Sequence, residues 1–149
     1  MDTFVRWMRY RLFFVWIIIE RLNELIVQLF FRRSKIEIIK IIKEYSFNNF
    51  FQFSCLDHSF SASVYKYFSE IIEEDKQFFK PFKFDPDSIS KILNSKSYLM
   101  YGIKKDDELL GIFFLRLFFN KTAYLGFYVD SKLRGQGVGS AMIAAVTRV

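Results

Sequence analysis

Three glycines at alternate positions, Gly135, Gly137 and Gly139, separate an aromatic, β-branched run from a run of small and apolar residues. Before them stands Gly126-Phe127-Tyr128-Val129-Asp130, and Val138-Gly139-Ser140-Ala141-Met142-Ile143-Ala144-Ala145 overlaps and follows them. The first run reads as a strand and the second as a helix opening near Gly137. The first turn of a helix has backbone N–H groups with no internal partner. They carry the positive end of the helix dipole. Glycines let a bulky anion approach them without meeting a Cβ. The combination predicts a phosphate cradle, suited to a diphosphate, with Arg134 adding a fixed charge at its side.

Other phosphate loops fit less well. The dinucleotide fingerprint needs a third glycine where this chain has Ser140, and the P-loop needs a Gly-Lys-Ser/Thr string that is absent. The elements before the glycines also differ from a βαβ unit. Residues 97–103, 109–119 and 122–129 read as three strands joined by a charged turn at 104–108 and by Asn120-Lys121. Such short connections imply an antiparallel meander. Further upstream, the β-branched run 36–42 is expected to open the sheet, and residues 45–60 show no clear period. Residues 62–80 read as one helix with Tyr65, Phe68, Ile72 and Phe79 inward, ended by Pro81. Asp85 is expected to cap a short helix over 89–93.

The six residues Arg134-Gly135-Gln136-Gly137-Val138-Gly139 resemble the acyl-coenzyme A signature of the GNAT superfamily of N-acetyltransferases, Gln/Arg-x-x-Gly-x-Gly/Ala. They follow a strand ending in Val-Asp and open a helix, as in that family. The order of elements over roughly residues 35–149 agrees: a strand, two helices, then three antiparallel strands. The resemblance implies an α+β fold with a mixed, mainly antiparallel sheet flanked by helices. It implies that Gly135, Gln136, Gly137, Val138, Gly139 and Ser140 offer backbone N–H groups to the coenzyme A diphosphate, with Arg134 beside it. Phe127, Tyr128 and Val129 would pair through their backbone with the pantetheine arm. Acetyl-coenzyme A would be the co-substrate, and no metal is implied. In the family the signature helix leads to further strands. This sequence ends at Val149, so the expectation is a domain whose C-terminal strands are missing, leaving Met142, Ile143 and Val146 poorly covered.

The N-terminal part differs in charge from the rest. Residues 1–33 hold six Arg and no Lys against three acids, and residues 34–149 hold thirteen Lys and three Arg against thirteen acids. Each part therefore carries +3 of the formal +6. We expect an N-terminal helical extension at 1–33 and the incomplete N-acetyltransferase domain at 34–149. Residues 4–31 contain no Gly or Pro and read as an extra amphipathic helix, with Arg6, Arg9, Glu20, Arg21, Glu24 and Gln28 on one side. The longest uncharged run near the start is 12–19, far short of the roughly 20 residues needed to cross a bilayer. Packing on the domain or on a partner, or peripheral membrane contact through residues 4–31, is expected instead. Cys55 is the only cysteine and His58 the only histidine. An intrachain disulfide is therefore ruled out, a His-based zinc cluster is not expected, and a cytoplasmic setting is suited.

The activity implied is transfer of an acetyl group from acetyl-coenzyme A to a primary amine, with no nucleic acid called for. The aromatic strings at 78–82, 111–116 and 126–130 bear a looser resemblance to enzymes that acetylate nucleotide-linked amino sugars in surface-polysaccharide pathways. Core packing explains the same strings equally well. Tyr124 and Glu108 are weak candidates for the base, and no catalytic residue is assigned. The alternative is an inactive remnant that at most binds coenzyme A or a partner. Replacing Gly137 with Val is expected to weaken coenzyme binding by blocking close approach.

Overall fold

A computed structural model of the chain describes residues 13–47, 52–105 and 108–148. Residues 4–12 of the expected first helix and the centre of the charged turn, Asp106 and Asp107, lie outside the described residues. Helix α1 spans Phe13–Phe30 and α2 spans Arg32–Phe47. Strand β1 (Gln52–Leu56) follows, then α3 (Ser61–Ser69), the single turn α4 (Glu73–Lys76) and α5 (Pro86–Asn94). Strands β2 (Tyr98–Lys105), β3 (Glu108–Leu117) and β4 (Ala123–Val129) lead to α6 (Val138–Val146). The four strands form one antiparallel sheet in the order β1-β2-β3-β4. The expected meander is therefore present, with a further strand paired to its first member.

The sheet is covered on both faces, so its central strands are apolar on both sides. Successive residues of a strand point to opposite faces. Leu99, Tyr101, Ile103, Phe113 and Leu115 join Ile38 and Ile42 of α2 and Val138, Met142 and Ala145 of α6 in one core. Met100, Ile112, Phe114 and Tyr128 join Val64, Tyr67 and Phe68 of α3 and Ile89 of α5 in the other. In that second core Phe68 stacks on Phe84 with ring centroids 4.5 Å apart and meets Phe82 edge-on at 5.5 Å. The aromatic string 78–84 has no regular structure of its own. It is held in place by these rings.

Three expectations are corrected. The run 36–42 is helix, not strand. Ile38 and Ile42, four residues apart, are buried while Ile36 and Ile39 are exposed. A helical stripe facing the core has overridden β-branched propensity. The first strand is instead β1, where no period was legible. Residues 62–80 are two helices, because Ile72 adopts an extended conformation (φ −63°, ψ 145°) at the start of α4. The buried residues there are Val64, Tyr67, Phe68 and Ile71, and Tyr65 and Ile72 are exposed. Finally, Met142 is fully buried, because α2 lies against α6 and shares its core, while Ile143 is exposed as expected. The expected cap stands: Asp85 accepts a hydrogen bond from the Ser88 N–H at 2.9 Å, with Pro86 in the first turn.

Helix α1 is tied to the sheet by polar contacts. Asn23, 7% exposed, donates to the Leu117 carbonyl at 3.0 Å and accepts from the Phe119 N–H at 2.9 Å. Arg116 reaches Glu20 at 3.2 Å, and the Ser95 hydroxyl bonds to Glu24. The boundary expected between residues 33 and 34 falls inside the first turn of α2. Asn23→Ala should cost about 2–3 kcal/mol, since it leaves a carbonyl and an N–H without their partner. Urea denaturation measures this. A loss within about 0.5 kcal/mol would mean that α1 is not held through Asn23.

Candidate functional site

Strand β4 is the edge of the sheet among the described residues, and it delivers Phe127, Tyr128 and Val129 to the site. A short 3-10 turn, Ser131–Leu133, reverses the chain. Three backbone bonds wind the loop that follows: Leu133 to Asp130 at 2.9 Å, Arg134 to Ser131 at 3.3 Å and Gln136 to Leu133 at 3.2 Å. Gly135 (φ 80°) and Gly137 (φ 82°) both take the left-handed conformation, which glycine adopts without strain. Gly137 precedes α6, and no side chain caps that end. The helical ladder begins with the Ala141 N–H bonded to the Gly137 carbonyl at 2.9 Å. The N–H groups of Val138, Gly139 and Ser140 precede it in the first turn.

The space before these groups is open. A Cβ built at Gly135, Gly137 or Gly139 would meet nothing within 4 Å. Gly135, Gln136, Gly137 and Ser140 lie at the surface. A groove of about 580 Å³ is lined by Phe127, Tyr128, Val129, Arg134, Gly135, Gly137, Gly139 and Ser140. The open cradle therefore suits a bulky anion. Gln136 and Val138, two of the expected residues, are not among the lining. The Gln136 N–H is engaged by Leu133. The Val138 side chain is buried in the core beneath, so only its backbone can serve the groove.

The same groove is also lined by residues that sequence reasoning missed: Asp75, Phe78, Phe79 and Leu133. Asp75 sits on α4 and accepts a hydrogen bond from the Tyr128 hydroxyl at 2.9 Å and another from the Arg134 guanidinium. Arg134 and then Tyr128 hold the Asp75 carboxyl below its ordinary value of 3.8. Burial and the neighbouring carboxylate push the Tyr128 hydroxyl up to about 12, so it stays protonated at neutral pH. Arg134 is thus a guanidinium whose present partner is a carboxylate and whose side chain is half exposed to the groove. In the sequence, Asp75 falls within the single helix expected over 62–80. Only the break after α3 brings it to the loop.

The depressed carboxylate gives a pH prediction. Its contribution to stability is complete above the unfolded-state value of about 3.9 and disappears as pH falls through the lower folded value. The difference in Tm between the parent and Asp75→Asn should therefore be constant from pH 7 to about 5 and shrink below about 4. Thermal melts across that range test it, and a difference that widens in acid would exclude the contact.

Of the weak base candidates, Tyr124 lies on β4 and is exposed, facing the Phe114 ring rather than the groove lining. Cys55 lies on β1 and His58 opens the turn after it, far along the chain from the glycine loop. Among the described residues no group of three or more His, Cys, Asp or Glu could hold a metal ion.

The family model described as the Acetyltransferase (GNAT) family matches residues 64–149. No curated protein matches the chain in sequence. Among solved structures, a ribosomal-protein-alanine N-acetyltransferase from Brucella melitensis biovar Abortus 2308 is 16% identical, with a TM-score of 0.51 over 67% of this chain and 71% of that one. The GNAT domain of S. lividans PAT is 11% identical, with a TM-score of 0.52 over 66% of this chain and 64% of that one. An aminoglycoside acetyltransferase, meta-AAC0020, from an uncultured soil metagenomic sample is 19% identical, with a TM-score of 0.51 over 68% and 70%. At these identities the likeness is one of fold.

Proposed function

The chain belongs to the GNAT acetyltransferase family, and on that premise we propose that it transfers an acetyl group from acetyl-coenzyme A to a primary amine. The observation that carries this reading is the open first turn of α6 facing the groove, with Arg134 beside it. The N–H groups of Val138, Gly139 and Ser140 would hold the diphosphate, and Arg134 would exchange Asp75 for it. The edge of β4 at Phe127, Tyr128 and Val129 would pair with the pantetheine arm and orient the thioester carbonyl. In the reaction the acceptor nitrogen bonds to the acyl carbon, the C–S bond breaks with its electron pair on sulfur, and a proton passes in net from nitrogen to sulfur.

The narrower form of the proposal is a small-molecule acceptor, an amino sugar in particular. Phe78 supports it, because this exposed ring lies at the rim of the groove and an exposed aromatic face can stack on a ring-shaped ligand. Phe79, Phe82 and Phe84 do not add to that support, since they pack against Phe68.

Calorimetry with acetyl-coenzyme A and thiol release with a panel of amines, nucleotide-linked amino sugars included, test the two levels. Saturable heat and acceptor-dependent thiol are expected. Saturable heat with no thiol from any amine would reduce the protein to a coenzyme-binding remnant, and a folded protein giving no heat would remove the reading altogether.

A further inference from the structure

Helix α1 turns its polar side to the domain and its apolar side to solvent. Glu20, Asn23 and Glu24 face inward, bonded to Arg116, Leu117, Phe119 and Ser95, and Val27 is fully buried beside them. On the opposite side Phe14, Ile18, Leu22, Leu25 and Leu29 follow one another at spacings of four, four, three and four. All five are exposed, from 40% at Ile18 to 72% at Leu29. That spacing places them in one stripe along the full helix, about 27 Å long at 1.5 Å per residue. An apolar stripe of this extent needs a cover.

Charge identifies the cover. The acids of α1 are turned inward, whereas Arg21 on the helix and Arg32 and Arg33 after it are exposed. Residues 1–12 add Arg6, Arg9 and Arg11 against Asp2. Exposed arginines thus stand on α1 and directly after it, while Glu20 and Glu24 are already bonded to Arg116 and Ser95. Two copies placed face to face would bring arginines together without partners. A layer that is anionic at its surface and apolar beneath matches both properties. Among the described residues no helix is long and apolar enough to cross a membrane, so the fit is to a helix lying in the interface.

We propose that α1 docks this protein on an anionic lipid bilayer, with Phe14, Ile18, Leu22, Leu25 and Leu29 at the acyl boundary and Arg21, Arg32 and Arg33 at the headgroups. This is independent of acetyl transfer and stands or falls separately.

Flotation of the full chain with vesicles tests it. The protein should float with phosphatidylcholine vesicles containing phosphatidylglycerol and much less with phosphatidylcholine alone. Raised salt should weaken binding. Arg32→Gln and Arg33→Gln should each lower binding to the anionic vesicles about fivefold. Leu22→Glu with Leu25→Glu should lower it roughly tenfold or more. Both leucines are exposed, so the parent Tm should be kept, and melts verify that. Asp75→Asn, whose side chain bonds Tyr128 and Arg134 rather than α1, should float like the parent. No flotation with anionic vesicles overturns the proposal, as does parent-like flotation of the double leucine variant. A dimer in sedimentation equilibrium that this variant splits, with no vesicle binding by the parent, would assign the stripe to a second copy instead.

Discussion

Gly139→Val should leave the fold as stable as the parent and lower affinity for acetyl-coenzyme A by at least about tenfold. The reason is that Gly139 is helical, is free of the left-handed conformation and has open space where a Cβ would stand. Valine in place of glycine in a helix changes stability by only a few tenths of a kcal/mol, in the favourable direction. A branched side chain at that point would stand where the diphosphate must approach the first-turn N–H groups. Loss of one hydrogen bond to a charged group is worth about 1.5–3 kcal/mol, or roughly ten- to a hundredfold in affinity. Gly137→Val tests the same idea less cleanly. Its φ of 82° would strain any β-branched residue, so weaker binding there could follow from a disturbed helix start. Calorimetry and thermal melts on Gly139→Val separate the two effects. Unchanged affinity in a stable protein would place the diphosphate elsewhere.

Phe68→Ala should be the most destabilising single change, at about 3–5 kcal/mol. A domain of this kind has only about 5–15 kcal/mol in total. Phe68 is fully buried and contacts Tyr67, Phe79, Phe82 and Phe84. Those last three rings hold the irregular segment that follows α4, and Phe79 lines the groove. The urea midpoint should fall by about 2 M, and coenzyme binding should weaken as the Asp75 side of the groove loosens. Phe82→Ala, at a half-buried ring, should cost less. A loss below about 1 kcal/mol for Phe68→Ala would mean that the segment is held by other contacts.

The glycine loop was legible because its chemistry is local. Backbone conformation at Gly135 and Gly137, and the start of a helix, depend on residues within a few positions. The meander was legible for the same reason, since short connections leave adjacent strands little choice but to pair. The run 36–42 misled because β-branched residues suit a strand by propensity, while Ile38 and Ile42 sit equally well on a helical stripe. Nothing short of the sheet they pack on decides between the two. The strand β1 was hidden because only two of its five residues are buried, Phe53 on one face and Leu56 on the other, so neither face shows an apolar row.

Sequence alone determined the family signature and the strand–loop–helix that carries it. Each rests on spacing along the chain. Tertiary structure alone decided that Asp75 faces Arg134 and Tyr128, and that the acids of α1 point inward. Asp75 and Arg134 are 59 positions apart, and Glu20 and Arg116 are 96. Which side of a helix is buried depends on the surface offered by another element, and no local pattern carries that information.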